Sequence, residues 1–120
     1  MLRPAAFLVL SLASLTALAQ DPVITDGDQY KVILDNDQVR VLEHQDKPGD
    51  VTHQHHHPAF VLYALSPFSR SITLPDGKVI QREFKTGDVM YSPAQTHIGK
   101  NTGSTPTHVI MVELKTAEKP

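Results

Sequence analysis

Apolar and polar residues alternate along most of the chain beyond residue 29, and a period of two is typical of half-buried β-strands. No segment sustains the period of about 3.6 residues that marks an amphipathic helix. The alternation predicts short strands at 30–34, 39–43, 53–57, 59–65, 71–74, 78–84, 89–91 and 107–114. About eight short strands separated by turns indicate an all-β sandwich or barrel.

Turn residues separate the predicted strands. In the turn at 47–50, Pro48 presets φ and Gly49 accepts a left-handed conformation. The run 59–65 is apolar on both faces, which predicts a central strand or one that a second layer covers. Residues 92–106 carry several turn signals, so we expect them to form a loop.

The first 19 residues have the pattern of a secretory signal peptide. Arg3 supplies a positive charge, and the following apolar run, rich in Leu and Ala, ends in a small-x-small cleavage pattern. This run is shorter than the ~20 residues that a spanning helix needs. We therefore expect cleavage before Gln20, a periplasmic or secreted mature protein, and no membrane association afterwards. The expected division is a signal peptide at 1–19, a linker at 20–29, the folded domain at 30–115 and a C-terminal tail at 116–120.

The composition excludes several kinds of site. The chain contains no cysteine, so disulfides, thiolate metal ligands and thiol nucleophiles are excluded. It has 11 Lys and Arg residues against 13 Asp and Glu, and loss of Arg3 with the signal peptide leaves a mature net charge of about −3. Such a domain lacks the basic face that nucleic acids bind. We therefore expect a small-molecule ligand or substrate, and no nucleic-acid partner.

Four of the seven histidines fall within five positions, as His53, His55, His56 and His57. Successive side chains of a strand point to opposite faces, so His53, His55 and His57 would share one face and His56 would face solvent. Neutral imidazoles that converge bind divalent transition metals such as Zn, Cu, Ni, Fe or Mn. The alternative is a solvated histidine tract that traps metal loosely, without a defined site.

Two spacings in this chain match motifs of a known family. Gly49 is followed after five residues by His55 and His57 in a His-x-His pattern. Further along, Gly87 is followed after five residues by Pro93, and His97 is followed after three residues by Asn101. The second motif departs from the usual form, because the glycine between its proline and histidine is absent and this spacing is one residue shorter.

The two motifs, in this order, resemble those of small single-domain cupins, and the resemblance covers roughly residues 30–114. It implies a cupin-type jelly-roll β-barrel. It also implies one divalent transition metal inside the barrel, ligated by His55, His57 and His97.

One element of the cupin pattern is absent. The first motif usually continues to a glutamate four or five residues after its second histidine, and here those positions are Val61 and Leu62. Three neutral imidazoles leave a divalent cation its full charge, which makes it a stronger Lewis acid and leaves coordination positions open. Three-histidine sites resemble those of thiol dioxygenases. By that analogy the protein would act on a small polar or anionic metabolite in a dioxygenase-like or isomerase-like reaction.

Several roles stay open from the residues alone. His53 could hydrogen-bond to a ligand from outside, serve as a fourth ligand, or have no role. His44 and His108 lie singly in alternating strands, which is typical of structural histidines. No residue is identified as catalytic, so the alternative to an enzyme is a non-catalytic periplasmic module that binds a metal or a small ligand. The apolar run 59–65 favours a homodimer in which sheets pack across subunits.

Overall fold

The computed structural model describes residues 20–115. The predicted signal peptide and C-terminal tail lie outside the described residues. Within 20–115 the elements are α1 (Pro22–Thr25), β1 (Tyr30–Asp35), β2 (Val39–Asp46), β3 (His55–His57), β4 (Phe60–Ala64), β5 (Phe68–Thr73), β6 (Val79–Phe84), β7 (Val89–Ser92), β8 (Gln95–Asn101) and β9 (Thr107–Leu114). In this part of the chain no helix has both the length and the hydropathy to cross a bilayer.

The strands form two antiparallel sheets. Five strands follow the order β1-β2-β9-β4-β7, and four follow the order β3-β8-β5-β6. The non-consecutive neighbours are typical of a jelly roll, in which the chain passes back and forth between two packed sheets. The predicted all-β jelly-roll architecture is confirmed, and the predicted central strand in 59–65 is β4, paired with β9 and β7.

Strand alternation decides which residues enter the space between the sheets. Along β9 every second residue is buried, from Thr107 through to Glu113. The register pairs buried Leu42 of β2 with Met111 at one level, and Asp46 with Thr107 at another. The middle of this strand pair is therefore apolar inside, and polar pairs lie at both ends, because Arg40 pairs with Glu113 beyond Leu42. The apolar core comprises Tyr30, Leu42, Phe60, Leu62, Ala64, Phe68, Val109 and Met111.

Two segments differ from the sequence prediction. The expected loop at 92–106 is wrong for Gln95–Asn101, which form β8. The apolar alternation that marks other strands is missing there, because the inward positions are His97, Gly99 and Asn101. The predicted strand at 53–57 begins only at His55, so strand alternation does not extend to His53.

The expected linker at 20–29 contains α1 and packs against the domain. Asp21 caps this short helix by accepting a hydrogen bond from the Val23 backbone N–H at 2.9 Å. Asp26, which follows the helix, is only 3% exposed. A buried carboxylate requires partners, and those of Asp26 lie beside β3.

Candidate metal centre

Two neighbouring strands bring three histidines together inside the barrel. His55 and His57 are the inward residues of β3, and His97 of β8 pairs directly with His55. All three are buried, and one ring nitrogen of each lies within 4.8 Å of the others. Their ring centroids are 4.8–5.3 Å apart. We call these three residues the histidine centre; within 20–115 it includes no carboxylate.

An oxygen acceptor lies beside the Nδ1 atom of each ring. The pairs are His55 with Asp26 Oδ2 at 3.2 Å, His57 with Glu113 Oε2 at 3.0 Å, and His97 with Gln95 Oε1 at 2.6 Å. Ionised carboxylates and amide oxygens only accept hydrogen bonds, so each Nδ1 carries the proton and donates. The tautomer set in this way leaves an Nε2 lone pair on every ring.

The Nε2 atoms of His55 and His57 are buried and have no hydrogen-bond partner among residues 20–115. Buried polar atoms are normally satisfied, so two such orphans side by side require an explanation. A divalent transition metal would satisfy both, and neutral imidazole nitrogens are donors that such metals accept. Three buried histidines in this arrangement could therefore bind a metal ion.

Burial keeps these imidazoles neutral. It lowers the pKa of His97 to about 2, and it lowers the pKa of His57 well below the ordinary value, with a further contribution from neighbouring His55. Burial also lowers the pKa of His55, although Asp26 partly opposes this effect. A protonated imidazole cannot ligate a metal, so neutral rings make the centre competent at neutral pH.

Behind His57, an ion-pair chain leads toward the surface. Glu113 is 2% exposed and accepts from Arg40 Nε at 2.8 Å as well as from His57. The same guanidinium donates two further hydrogen bonds to Asp21. Burial raises the pKa of Glu113, and Arg40 opposes that rise. The arrangement holds Glu113 in place as the acceptor for His57.

His53 lies outside the histidine centre. Its side chain is 80% exposed, and its Nδ1 and backbone N–H both lie 3.0 Å from Asp26 Oδ1. Asp26 thus joins exposed His53 to buried His55. The expected solvent-facing residue His56 is half-buried, with its Nδ1 at 2.9 Å from Thr96 Oγ1.

A cavity of about 290 Å³ adjoins the histidine centre, with His57 and His97 in its wall. Most of the wall is apolar, including Phe60, Leu62, Phe68, Ile72, Phe84 and Met90. Arg82, which faces the same side of its sheet as Arg70, also lines the cavity and is exposed, so the cavity opens to solvent on that side. This volume lies close to the lower end of the range of about 300–1,000 Å³ that small-molecule sites span.

A second buried polar group contributes His44, Arg70 and Thr107 to the wall of the same cavity. We call it the Asp46 cluster; it consists of His44, Asp46, Arg70, Asn101 and Thr107, all at most 7% exposed. Asp46 accepts from Arg70 Nη1, from Asn101 Nδ2 at 3.0 Å and from the Thr107 backbone N–H at 3.2 Å. Burial alone would raise the pKa of Asp46, but its partners, Arg70 among them, hold it below the ordinary value.

Sequence reasoning missed the residues that support the histidines. Glu113 and Arg70 occupy inward positions of strands that otherwise alternate. A charged residue at an inward position is rare, so it could have indicated a buried polar site. Asp26 offered no signal, because only the packing of α1 brings it to β3. Gln95 lies in the segment that was predicted to be a loop.

No protein-family model matches this chain, and no curated protein matches it. Solved structures do resemble it. A cupin domain from Bordetella pertussis is 24% identical, with a TM-score of 0.66, over 72% of this chain and 91% of that one. A double-stranded β-helix protein from Klebsiella pneumoniae is 21% identical, with a TM-score of 0.58, over 76% and 74% of the two chains.

A third structure, an RmlC-like cupin family protein from Methanocaldococcus jannaschii, has a double-stranded β-helix fold. It is 16% identical, with a TM-score of 0.57, over 71% of this chain and 77% of that one. Similarity at this level of identity speaks to the fold. With the two antiparallel sheets, it shows that this chain folds as a cupin-type jelly roll.

Proposed function

We propose that this protein is a cupin that holds one divalent transition metal through the Nε2 atoms of His55, His57 and His97. The observation that carries the proposal is the pair of buried, unpartnered Nε2 atoms on rings whose Nδ1 atoms face fixed acceptors. A polar group left unsatisfied in the interior costs about 1–3 kcal/mol. Bound metal removes that cost for both rings.

We further propose that the site acts on, or binds, a small molecule in the adjoining cavity. When bound, the metal supplies Lewis acidity and a point of attachment for an oxygen-containing group. Asp26, Glu113 and Gln95 hold the rings in the ligating orientation, and the apolar wall excludes water around the ligand. A dioxygenase-like or isomerase-like reaction on a polar or anionic metabolite is the catalytic form of this proposal.

A non-catalytic module that binds a metal or a small ligand is the second candidate. In its support, the two carboxylates beside the histidine centre, Asp26 and Glu113, already have structural partners within 20–115. The two candidates differ in metal retention. An enzyme keeps one metal per chain through dialysis, whereas a metal buffer takes up several ions weakly and loses them.

Metal analysis of purified variants tests the proposed centre. We expect one metal per chain in the wild type and less than about a tenth of that in His55→Ala, His57→Ala and His97→Ala, because two imidazoles hold a metal far less tightly than three. His108→Ala is the matched control, since His108 is also a strand histidine facing a carboxylate, with its Nε2 at 2.9 Å from Glu43 Oε2, but lies outside the centre. His56→Ala should also keep its metal. Equal metal content in all variants would refute the assignment.

Export stays a prediction, because residues 1–19 lie outside the described part of the chain. We propose a periplasmic or secreted mature protein that begins at Gln20. N-terminal sequencing of the protein from the periplasmic fraction tests it, and retention of Met1 there would contradict it.

The homodimer also stays a prediction. On the outer face of the five-stranded sheet, one row of paired residues is apolar across all five strands: Leu34, Val41, Val112, Val61 and Tyr91. We propose that two copies pack through this face. Light scattering during size-exclusion chromatography, with a monomer as the contradicting result, tests this proposal.

A further inference from the structure

Two polar side chains in the cavity have no part in holding the metal. His44 is 3% exposed, and its Nε2 is buried without a hydrogen-bond partner. Asp46 Oδ2 lies 3.6 Å from this nitrogen, within ion-pair range but beyond hydrogen-bond distance. The ring is held in place by stacking on Tyr30, with centroids 4.2 Å apart and planes 6° from parallel. His44 lines the cavity, and its fixed ring carries this unsatisfied nitrogen.

Arg70 is the second of these side chains, and part of its donor capacity is unused. Its hydrogen bonds to residues 20–115 all come from Nη1, which donates to Asp46 and, at 3.4 Å, to Thr107. A guanidinium carries five N–H donors in a rigid fork, so the Nε and Nη2 donors remain for another acceptor. Arg70 lines the cavity and is 7% exposed, so an acceptor inside the cavity could use these donors.

Both side chains lie close to the histidine centre. A Cβ atom on Gly99 would fall 2.5 Å from Arg70 Nη2, so the guanidinium lies directly over Gly99. Gly99 is two residues from His97 on β8, a span of about 6.6 Å in a strand. On the other side, the Tyr30 ring that stacks on His44 also makes an edge contact with His55, at a centroid distance of 5.4 Å.

The charges around the cavity and the apolar side chains of its wall indicate which ligand would bind. A divalent metal on three neutral imidazoles keeps its full charge, and Arg82 adds a positive group at the opening. Between these polar points, the wall is made of aliphatic and aromatic side chains. A ligand that satisfies both features has an anionic end and an apolar body, and is small enough for a cavity of about 290 Å³.

We propose that His44 and Arg70 form a second recognition point beside the metal, and that the ligand of this site is a small carboxylic acid with a compact apolar body. This inference rests on the proposed function, because the metal supplies the other attachment point for the acid. Asp46 is a positioning residue that holds the guanidinium with its free donors toward the ligand.

The test compares three probes on the zinc-loaded protein by isothermal titration calorimetry. Phenylacetate has the acid and the apolar body, phenylacetamide has the same shape without the charge, and acetate has the charge without the body. We expect phenylacetate to bind at least about tenfold more tightly than either of the others, because a hydrogen bond to a charged group and the buried ring both contribute.

Two variants test the residues. His44→Phe keeps the stacking on Tyr30 and removes the nitrogen, and should weaken phenylacetate binding about twofold to tenfold. Arg70→Gln combined with Asp46→Asn removes both buried charges together and should weaken it about tenfold or more. The matched control is His108→Phe, which alters a strand histidine outside the cavity and should leave binding unchanged. If the double variant fails to fold, His44→Phe and the three probes still decide the matter.

The outcomes separate this inference from the proposed function. If the wild type holds one zinc but binds phenylacetate no better than phenylacetamide or acetate, the inference is overturned and the metal centre stands. The inference is also overturned, and the metal centre again stands, if His44→Phe binds phenylacetate as the wild type does. If the wild type binds neither zinc nor another divalent transition metal, the proposed function is overturned, and the inference with it.

Discussion

The histidine centre and the Asp46 cluster are both buried, polar and part of one cavity wall, but they satisfy their polar atoms differently. In the histidine centre the Nδ1 atoms turn outward to Asp26, Glu113 and Gln95, and the inner nitrogens of His55 and His57 are left without partners. In the Asp46 cluster the carboxylate accepts three hydrogen bonds from within the protein.

This difference separates a stabilising network from a binding one. A buried ion pair whose hydrogen bonds are all made needs no ligand. Removal of one partner leaves the other as an unpaired charge in the low-dielectric interior. Nitrogen lone pairs that converge on one small volume are satisfied only when a cation binds there. His44 and the free edge of Arg70 lie between these two cases, because they are anchored by the cluster and still have unused capacity.

The largest expected effect is on the Asp46 cluster. Arg70→Gln removes the guanidinium and leaves the Asp46 carboxylate buried without an opposite charge. We expect the free energy of unfolding to fall by about 3–5 kcal/mol, with or without metal. Urea denaturation followed by circular dichroism measures this change.

Lys115→Gln is the control for that prediction. It also removes a cation from an ion pair, but the pair with Asp35 is exposed, so the expected loss is within about 1 kcal/mol. Addition of Asp46→Asn to Arg70→Gln should restore much of the lost stability. Equal losses in Arg70→Gln and Lys115→Gln would show that the buried ion pair of the Asp46 cluster stabilises the fold no more than an exposed one.

A smaller effect is expected at the support of the histidine centre. Glu113→Gln keeps the shape of the side chain and removes the charge that faces His57 Nδ1. Loss of such a partner typically lowers metal affinity about 10–100-fold, because the ring is held less firmly and is less basic. Competition with a zinc chelator of known affinity measures it.

Glu43→Gln is matched to the Glu113 variant. Glu43 also faces a histidine, His108, but on the outer face of the sheet, so zinc affinity should be unchanged. An equal loss of zinc affinity in both variants would show that the effect comes from the change in overall charge. Unchanged zinc affinity in Glu113→Gln would show that this carboxylate does not support the histidine centre.

The smallest effect is expected at His53. The side chain is 80% exposed and reaches the centre only through Asp26, which keeps its hydrogen bonds from Thr25 and the His53 backbone N–H after substitution. We expect His53→Ala to change zinc affinity less than about threefold in the same competition. A loss as large as that of His97→Ala would make His53 a fourth ligand.

Much of the fold was predictable from the alternation of apolar and polar residues. β9 shows why, since every second residue from Thr107 onward is buried and the others face outward. β8 shows the limit of the method. Its inward residues are His97, Gly99 and Asn101, and none of them is a large apolar residue. The alternation of apolar and polar residues that predicts a strand is therefore absent from β8.

The candidate site was predictable only in part. The spacings around His55, His57 and His97 led to three residues that the structure brings together. Their supporting residues were not predictable from spacing, since Asp26 and His55 are 29 positions apart and Glu113 and His57 are 56 apart. His53 shows the opposite error. Its proximity in sequence predicted that it shares a strand face with His55 and His57, but β3 begins only at His55.

The sequence by itself determined that the domain is all-β, that cysteine chemistry is excluded, and that one strand presents His55 and His57 to a common face. These are local properties, which follow from side-chain type and a period of two. Only the tertiary structure decided which oxygen faces each Nδ1, that within 20–115 no carboxylate joins the three rings, and that Arg70 and His44 line the same cavity. Those features depend on register and packing between strands that are distant in the chain, and hydrogen-bond geometry there is set by the whole fold.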